Sequence, residues 1–146
     1  MSLKNWLANG WLVEHKTSPQ EITGLLEVAD RDLKDCQSPG LSSDWQLNIA
    51  YNAALQAAAA ALSAAGYRAS REAHHYRVIK SLAHTIKAEL NLVNQFDQFR
   101  KKRNISGYEL SGIISQQEAN EMKSLAKRIR EDIENWLRKN YPELIA

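Results

Sequence analysis

Apolar residues recur along this chain at helical spacing, and the recurrence divides it into four or five stretches. After Pro19, Ile22, Leu25, Leu26, Ala29, Leu33 and Cys36 share one helical face. Ser18-Pro19-Gln20-Glu21 ahead of them is a capping box with proline at the first helical position, and Ser38-Pro39-Gly40 ends the stretch. A second helix is expected from Ser43 or Asp44 to Gly66, a glycine suited to the left-handed position after a C-cap. A third is expected from near Ser70, with His75, Val78, Ile79, Leu82, Ile86 and Leu90 on its inner face. Leu92, Phe96, Phe99 and Arg103 follow so closely that one long helix would fit both stripes, with a break or kink expected at residues 89–94. Ser115-Gln116-Gln117-Glu118 is a second capping box. It leads into Met122, Leu125, Ala126, Ile129, Ile133, Trp136 and Leu137, a stripe that ends before Pro142. No useful run alternates with the two-residue period of a strand. The pattern predicts an all-α fold, with residues 1–146 forming one helical-bundle domain. Its core spans 17–141, and a short amphipathic segment over 1–16, bearing Trp6, Leu7, Trp11 and Leu12, closes one end.

Ten of the sixteen residues from Ala50 to Ala65 are alanine. Alanine favours helix and leaves a smooth surface, so neighbours approach closely and this helix is expected at the centre of the bundle. Asn48, Asn52 and Gln56 recur every four residues on one side of it. That row can line a cleft, pack at an interface or face water, and water is the first expectation.

Composition narrows the class. Hydrophobic residues make up 44% of the 146 and charged residues 25%, as in ordinary globular proteins, and disorder of the bulk is excluded. A chain of this length buries roughly two thirds of its unfolded surface and needs no covalent staples. The longest purely apolar run, Ala57 to Leu62, falls far short of the roughly 20 residues that span a bilayer. One cysteine, Cys36, excludes an internal disulfide and a cysteine-built zinc site. A cytoplasmic protein with no membrane association and no cofactor is expected. Net charge is +2 overall, but residues 1–70 carry five Lys/Arg against seven Asp/Glu and residues 71–146 carry fourteen against ten. The basic C-terminal half permits an anionic partner.

Conventional catalytic patterns are missing. None of His15, His74, His75 and His84 forms an i,i+4 pair with another histidine or a suitable glutamate, so no metal site is expected. His75 lies on an apolar stripe, where a hydrogen-bonded boundary histidine is the ordinary outcome. Asp30, Asp32 and Asp35 follow an acidic helix face without the Glu-x-x-His elements of a di-iron bundle. The richest stretch runs from Phe96 to Glu109. Arg103 follows Phe99 by four residues and so shares the inward face, beside Arg100, Lys101 and Lys102. A guanidinium there must meet a carboxylate, reach water, or line a polar cleft that receives an anion. Its planar fork matches phosphate in a bidentate way that lysine cannot.

Arg103-Asn104 followed by Tyr108, at the end of the penultimate helix, resembles the Arg-Asn-x-x-x-His/Tyr signature of HEPN domains. Thr17 to Leu33, Ala50 to Arg68 and the pair His74-His75 resemble the family's successive helices in order, and the likeness covers nearly the whole chain. The resemblance implies a four- to five-helix up-and-down bundle, commonly a homodimer, with the motif near the dimer cleft. Many HEPN proteins are metal-independent endoribonucleases of toxin or defence type, in which an arginine and a histidine separated by four to six residues are catalytic. Carried over, Arg103 matches the arginine and Asn104 the asparagine, while Tyr108 stands where the histidine belongs and no histidine follows His84. An ordinary tyrosine is ionised at about one part in a thousand at pH 7. Positioned proton transfer contributes about 10²–10⁴-fold. Weak or absent nuclease activity is therefore expected, unless Arg103 lowers the Tyr108 pKa or His75 moves in.

Three functions follow. The first is binding of RNA or a nucleotide phosphate through Arg103, Asn104 and Tyr108, with Arg100, Lys102, His75 and Asn52 assisting, and it predicts an open cleft at Arg103. The second is a ribonuclease that uses Arg103 and Tyr108 as catalytic residues in the same site. The third is a protein-interaction module that docks a nucleotidyltransferase or a toxin–antitoxin mate, and it predicts a large apolar patch on the first or last helix.

Overall fold

The computed structural model describes residues 2–108 and 113–145, with the backbone alone for 105–108. Its elements in chain order are α1 (Leu3–Ala8), β1 (Leu12–Glu14), α2 (Pro19–Asp35), α3 (Ser43–Ala64), β2 (Tyr67–Ala69), α4 (His74–Ser81), α5 (Leu90–Tyr108) and α6 (Gln116–Asn140), closed by a 3-10 turn over Pro142–Leu144. The fold is an all-α bundle with one two-stranded addition. Among the described residues no helix is long and apolar enough to cross a membrane.

Helix α3 is the centre. It packs along α2 on one side and α6 on another, with α4 and α5 completing the ring. Leu47, Ala50, Ala54, Ala57, Ala58, Ala60 and Ala61 are fully buried, so its faces are covered nearly all round. Short methyl side chains permit this, because they let three or four neighbours reach one helix. The larger side chains come from the partners. Ile22 and Leu26 project from α2, Phe96 and Phe99 from α5, and Met122, Ile129, Ile133 and Leu137 from α6. Each fully buried aliphatic or aromatic side chain contributes about 1.5–3 kcal/mol.

Both ends of the long helices follow the sequence cues, with one correction. Ser115 and Glu118 exchange the two bonds of a capping box at the start of α6. At α2 only half of the expected box forms. The Ser18 hydroxyl accepts the Glu21 backbone N–H at 3.1 Å. The Glu21 carboxylate turns away from the cap, accepts from the Thr17 hydroxyl at 2.8 Å and meets His15 Nε2 at 2.8 Å. Gly66, after the Ala65 cap of α3, takes the left-handed conformation at φ 99°.

Two further expectations change. Tyr67–Ala69, placed just ahead of the third helix, pairs antiparallel with Leu12–Glu14, Leu12 lying opposite Ala69. Three residues per strand are too few to show a period. This clamp holds the N-terminal segment against the bundle, where Trp6 is buried with its ring edge-on to Trp11 and His84. The stripe drawn from Ser70 to Leu90 is also shorter than expected. Helix α4 begins at His74, behind Ala73 in a left-handed conformation, and ends at Ser81. The break falls at residues 82–89, ahead of residues 89–94, and it leaves Leu90 exposed. Its physical cause is local. The Ser81 hydroxyl donates to the Val78 carbonyl and the Thr85 hydroxyl to that of Ser81, competing with the helical ladder, and Lys87 turns left-handed.

Candidate functional site

The inward stripe of α5 builds the site. Phe96 is fully buried and meets Tyr51 of α3 edge to face, with centroids 5.5 Å apart. Two turns further on the same face, the Arg103 guanidinium lies over the other part of this packing, 5.1 Å from the Tyr51 ring centroid. Arg103 is half-buried and Asn104, the next residue, is exposed. Together they close one wall of a cleft of about 440 Å³ whose other walls are Trp45, Asn48, Ile49 and Asn52 of α3 and Asp32 of α2.

Several of these side chains stand elsewhere than their sequence positions suggested. Asn48, Asn52 and Gln56 are half-buried instead of facing water, and the first two line the cleft. Asp32 belongs to no acidic surface: it is 7% exposed and sits at the cleft floor. A carboxylate so placed needs donors. Asn52 Nδ2 donates to it at 2.7 Å and Arg31 Nε at 3.1 Å, while Gln56 Nε2 donates to Asn52 Oδ1 at 3.2 Å. Asn52 keeps a second amide hydrogen and a second lone pair for a ligand. Trp45 stands at the rim with 61% of its surface exposed.

Asn104 also lines a second hollow of about 420 Å³, bounded by Ala73, His74, His75 and Tyr76 of the α4 region and by Arg100. Arg100 is held by Asp97, Nε to Oδ1 2.7 Å, and Lys101 lies 3.8 Å from the other Asp97 oxygen. His75 is half-buried, and its Nδ1 lies 3.2 Å from the Tyr51 hydroxyl. Burial pushes the Tyr51 phenol up to about 12, against the pull of Arg103 and Arg100, so it remains neutral. Burial first, then the positive field of Arg103, holds His75 below its usual range, so it is neutral at pH 7.

The two hollows thus bring together Arg103, Asn104, Asn52, Arg100 and His75 from three helices. Lys102 is not among them. It lines neither hollow and donates to the Glu118 carboxylate at the start of α6. The side chain of Tyr108 lies outside the described residues. Trp45 and Tyr51 are not among the site residues the sequence suggested, and Asp32 figured there only as part of an acidic helix face. Trp45 was detectable, because it precedes Asn48 by three residues and Asn52 by seven and so shares their helical face. Burial of Asp32 was detectable as well, because it follows Ala29 by three residues and precedes Cys36 by four on the inward face of α2, whereas the Tyr51–His75 bond depends on which helices meet.

Among the described residues no group of three or more His, Cys, Asp or Glu side chains is placed to hold a metal ion. Among the described residues the exposed large hydrophobic ones are Val13, Trp45, Leu90 and Ile113, from four separate segments. The chain matches no protein-family model, and comparisons with curated proteins and with solved structures return no match.

Proposed function

We propose that this chain is a HEPN-like helical bundle that binds RNA, or a nucleotide through its phosphate, with weak or no nuclease activity. The observation that carries the proposal is the meeting of one guanidinium, three carboxamides and one exposed indole in a single cleft: Arg103, Asn48, Asn52, Asn104 and Trp45. Each group suits a different part of a nucleotide. Arginine pairs with phosphate oxygens, carboxamides serve base edges and ribose hydroxyls, and a free indole face stacks on any base. In the adjoining hollow His75 and Arg100 add polar contacts for a neighbouring nucleotide. Tyr108 completes the set through its motif position, as a further stacking or phosphate contact. Asp32 excludes phosphate from the floor by charge, which orients the anion toward Arg103 and Asn104.

Weak catalysis follows from the same chemistry. Cleavage through the ribose 2′-hydroxyl needs a base, yet Tyr108 stands at the motif position of the histidine, and Nδ1 of His75 is engaged by Tyr51. The proposal carries with it a homodimer formed near the Arg103 face and a cytoplasmic setting. A clean monomer by light scattering at micromolar concentration would remove the dimer from it.

The test is binding and cleavage of labelled total RNA, with and without EDTA, by wild type, Arg103→Ala and Trp45→Ala. Stacking contributes about 1–3 kcal/mol per base, so Trp45→Ala is expected to weaken binding about tenfold or more. Arg103→Ala is expected to weaken it at least as much, with no cleavage by any of the three proteins. EDTA-resistant cleavage that is lost in Arg103→Ala would establish a ribonuclease in its place. Binding undiminished in both variants would sink the cleft assignment.

A further inference from the structure

Beyond the cleft, α4 carries a strip in which aromatic rings and cations alternate. Arg100, at the edge of the second hollow, has its guanidinium 5.4 Å from the centroid of the Tyr76 ring. On the same ring converge Arg77 at 5.3 Å and Lys80 Nζ at 5.5 Å. Arg77 in turn lies 3.9 Å from the centroid of Trp11, which the β1–β2 clamp holds against α4. Arg77, Lys80 and Arg100 thus approach aromatic rings along one short strip.

The strip joins the cleft without a gap in the residues that line it. Trp45, Arg103 and Asn104 share the first hollow. Asn104, Arg100 and Tyr76 share the second. Tyr76 then leads to Arg77, Lys80 and Trp11. Two buried carboxylates lie beside this path: Asp97, matched by Arg100 and Lys101, and Asp32 in the cleft, which accepts from Asn52 and Arg31. Tyr76, Arg77, Lys80 and Trp11 are all half-buried, so part of each side chain stays open to a ligand.

We infer that the ligand is a single-stranded stretch of RNA several nucleotides long, running from Trp45 through the cleft and across α4 to Trp11; this rests on the proposed function of the cleft. Alternating cations and rings are what a single strand requires, since phosphates recur along its backbone and unpaired bases offer stacking faces at the same intervals. A duplex hides those faces, and a mononucleotide would leave α4 without a role. Single-strand sites of this kind occupy roughly 4–16 nucleotides.

The test is displacement of a fluorescent twelve-nucleotide oligouridylate by unlabelled UMP, tetranucleotide and dodecanucleotide, measured by anisotropy with wild type, Lys80→Gln and Tyr76→Leu. Lys80→Gln changes a side chain at the surface, and Tyr76→Leu keeps apolar bulk should deletion of the ring perturb α4. The dodecanucleotide is expected to compete at least tenfold better than UMP. Each variant is expected to cut the dodecanucleotide's advantage severalfold, with Lys80→Gln also flattening the plot of log affinity against log salt by about 0.7. Equal competition by UMP and the dodecanucleotide would overturn the track and leave the cleft standing. A length advantage unchanged in both variants would overturn it as well, by placing the added contacts elsewhere. No measurable binding of the labelled strand would overturn the track and the proposed function together.

Discussion

His75 shows how one side chain's chemistry is set by its neighbours. By spacing it is a boundary histidine on an apolar stripe, and it remains one, half-buried and hydrogen-bonded. Its partner changes what it can do. The Tyr51 hydroxyl engages Nδ1, and the Arg103 guanidinium reaches over the same phenol ring. An imidazole held neutral by burial and by that field titrates below the ordinary value of 6.5. We expect NMR to show the His75 midpoint below that of an unfolded-chain histidine, and to show it rising in Arg103→Gln as the positive neighbour is removed. A midpoint insensitive to that substitution would mean Arg103 does not act on the pair. Arg103 itself was legible as an inward-facing arginine, because Phe96 and Phe99 declare the face. What it packs over was not, since Tyr51 lies 52 positions earlier in the chain.

Among the helices, α3 shows why composition can locate an element that periodicity cannot. Its apolar residues do not form a stripe, because nearly every face is buried. Alanine content carries the information instead: only a helix with little side-chain volume fits between α2 and α6. The space around Ala58, fully buried, is filled by its neighbours. We therefore expect Ala58→Leu to destabilise the fold by about 1–3 kcal/mol through overpacking, seen as a lower urea midpoint at unchanged slope. A neutral result would mean the helices around α3 can separate at little cost. The α4–α5 break teaches the converse. An apolar stripe runs through residues 75–90 in the sequence, yet hydroxyl side chains at Ser81 and Thr85 end the helix inside it. Periodicity reports which residues face inward and is blind to local competition for backbone carbonyls.

At the level of the whole bundle, ionisable groups set the acid limit of stability. His74, His75 and His84 are each held below 6.5, first by burial. Glu21 is lowered because bonds from Thr17 and His15 outweigh its burial, and Glu134 is lowered chiefly by the bond from Arg130. Arg130 also donates to Asp30 at 2.9 Å and so ties α6 to α2. Above about pH 6.5 these histidines are neutral in both folded and unfolded chains and add no pH dependence. Below it the unfolded chain binds protons that the folded chain refuses, and stability falls toward the folded histidine values. The glutamates' contribution is present above their ordinary 4.5 and is lost as pH falls through their lower folded values. Thermal melts are thus expected to be flat from pH 8 to 7, to decline from about 6.5 and to decline again below about 4.5. A melting temperature constant from pH 7 to 5 would contradict the burial assigned to the histidines.

Local chemistry along the chain was enough to determine the all-α class, the capped starts of α2 and α6, the central place of α3 and the inward set of Arg103, because each depends on residues a few positions apart. The meeting of Asp32 with Asn52, of Tyr51 with His75 and of Trp45 with Arg103 was decided by packing, since each joins helices far apart in sequence. The same packing sent Lys102 to Glu118 while its neighbours Arg103 and Asn104 line the cleft. Consecutive helical residues diverge by about 100°, so a basic run divides among faces once its helix is docked.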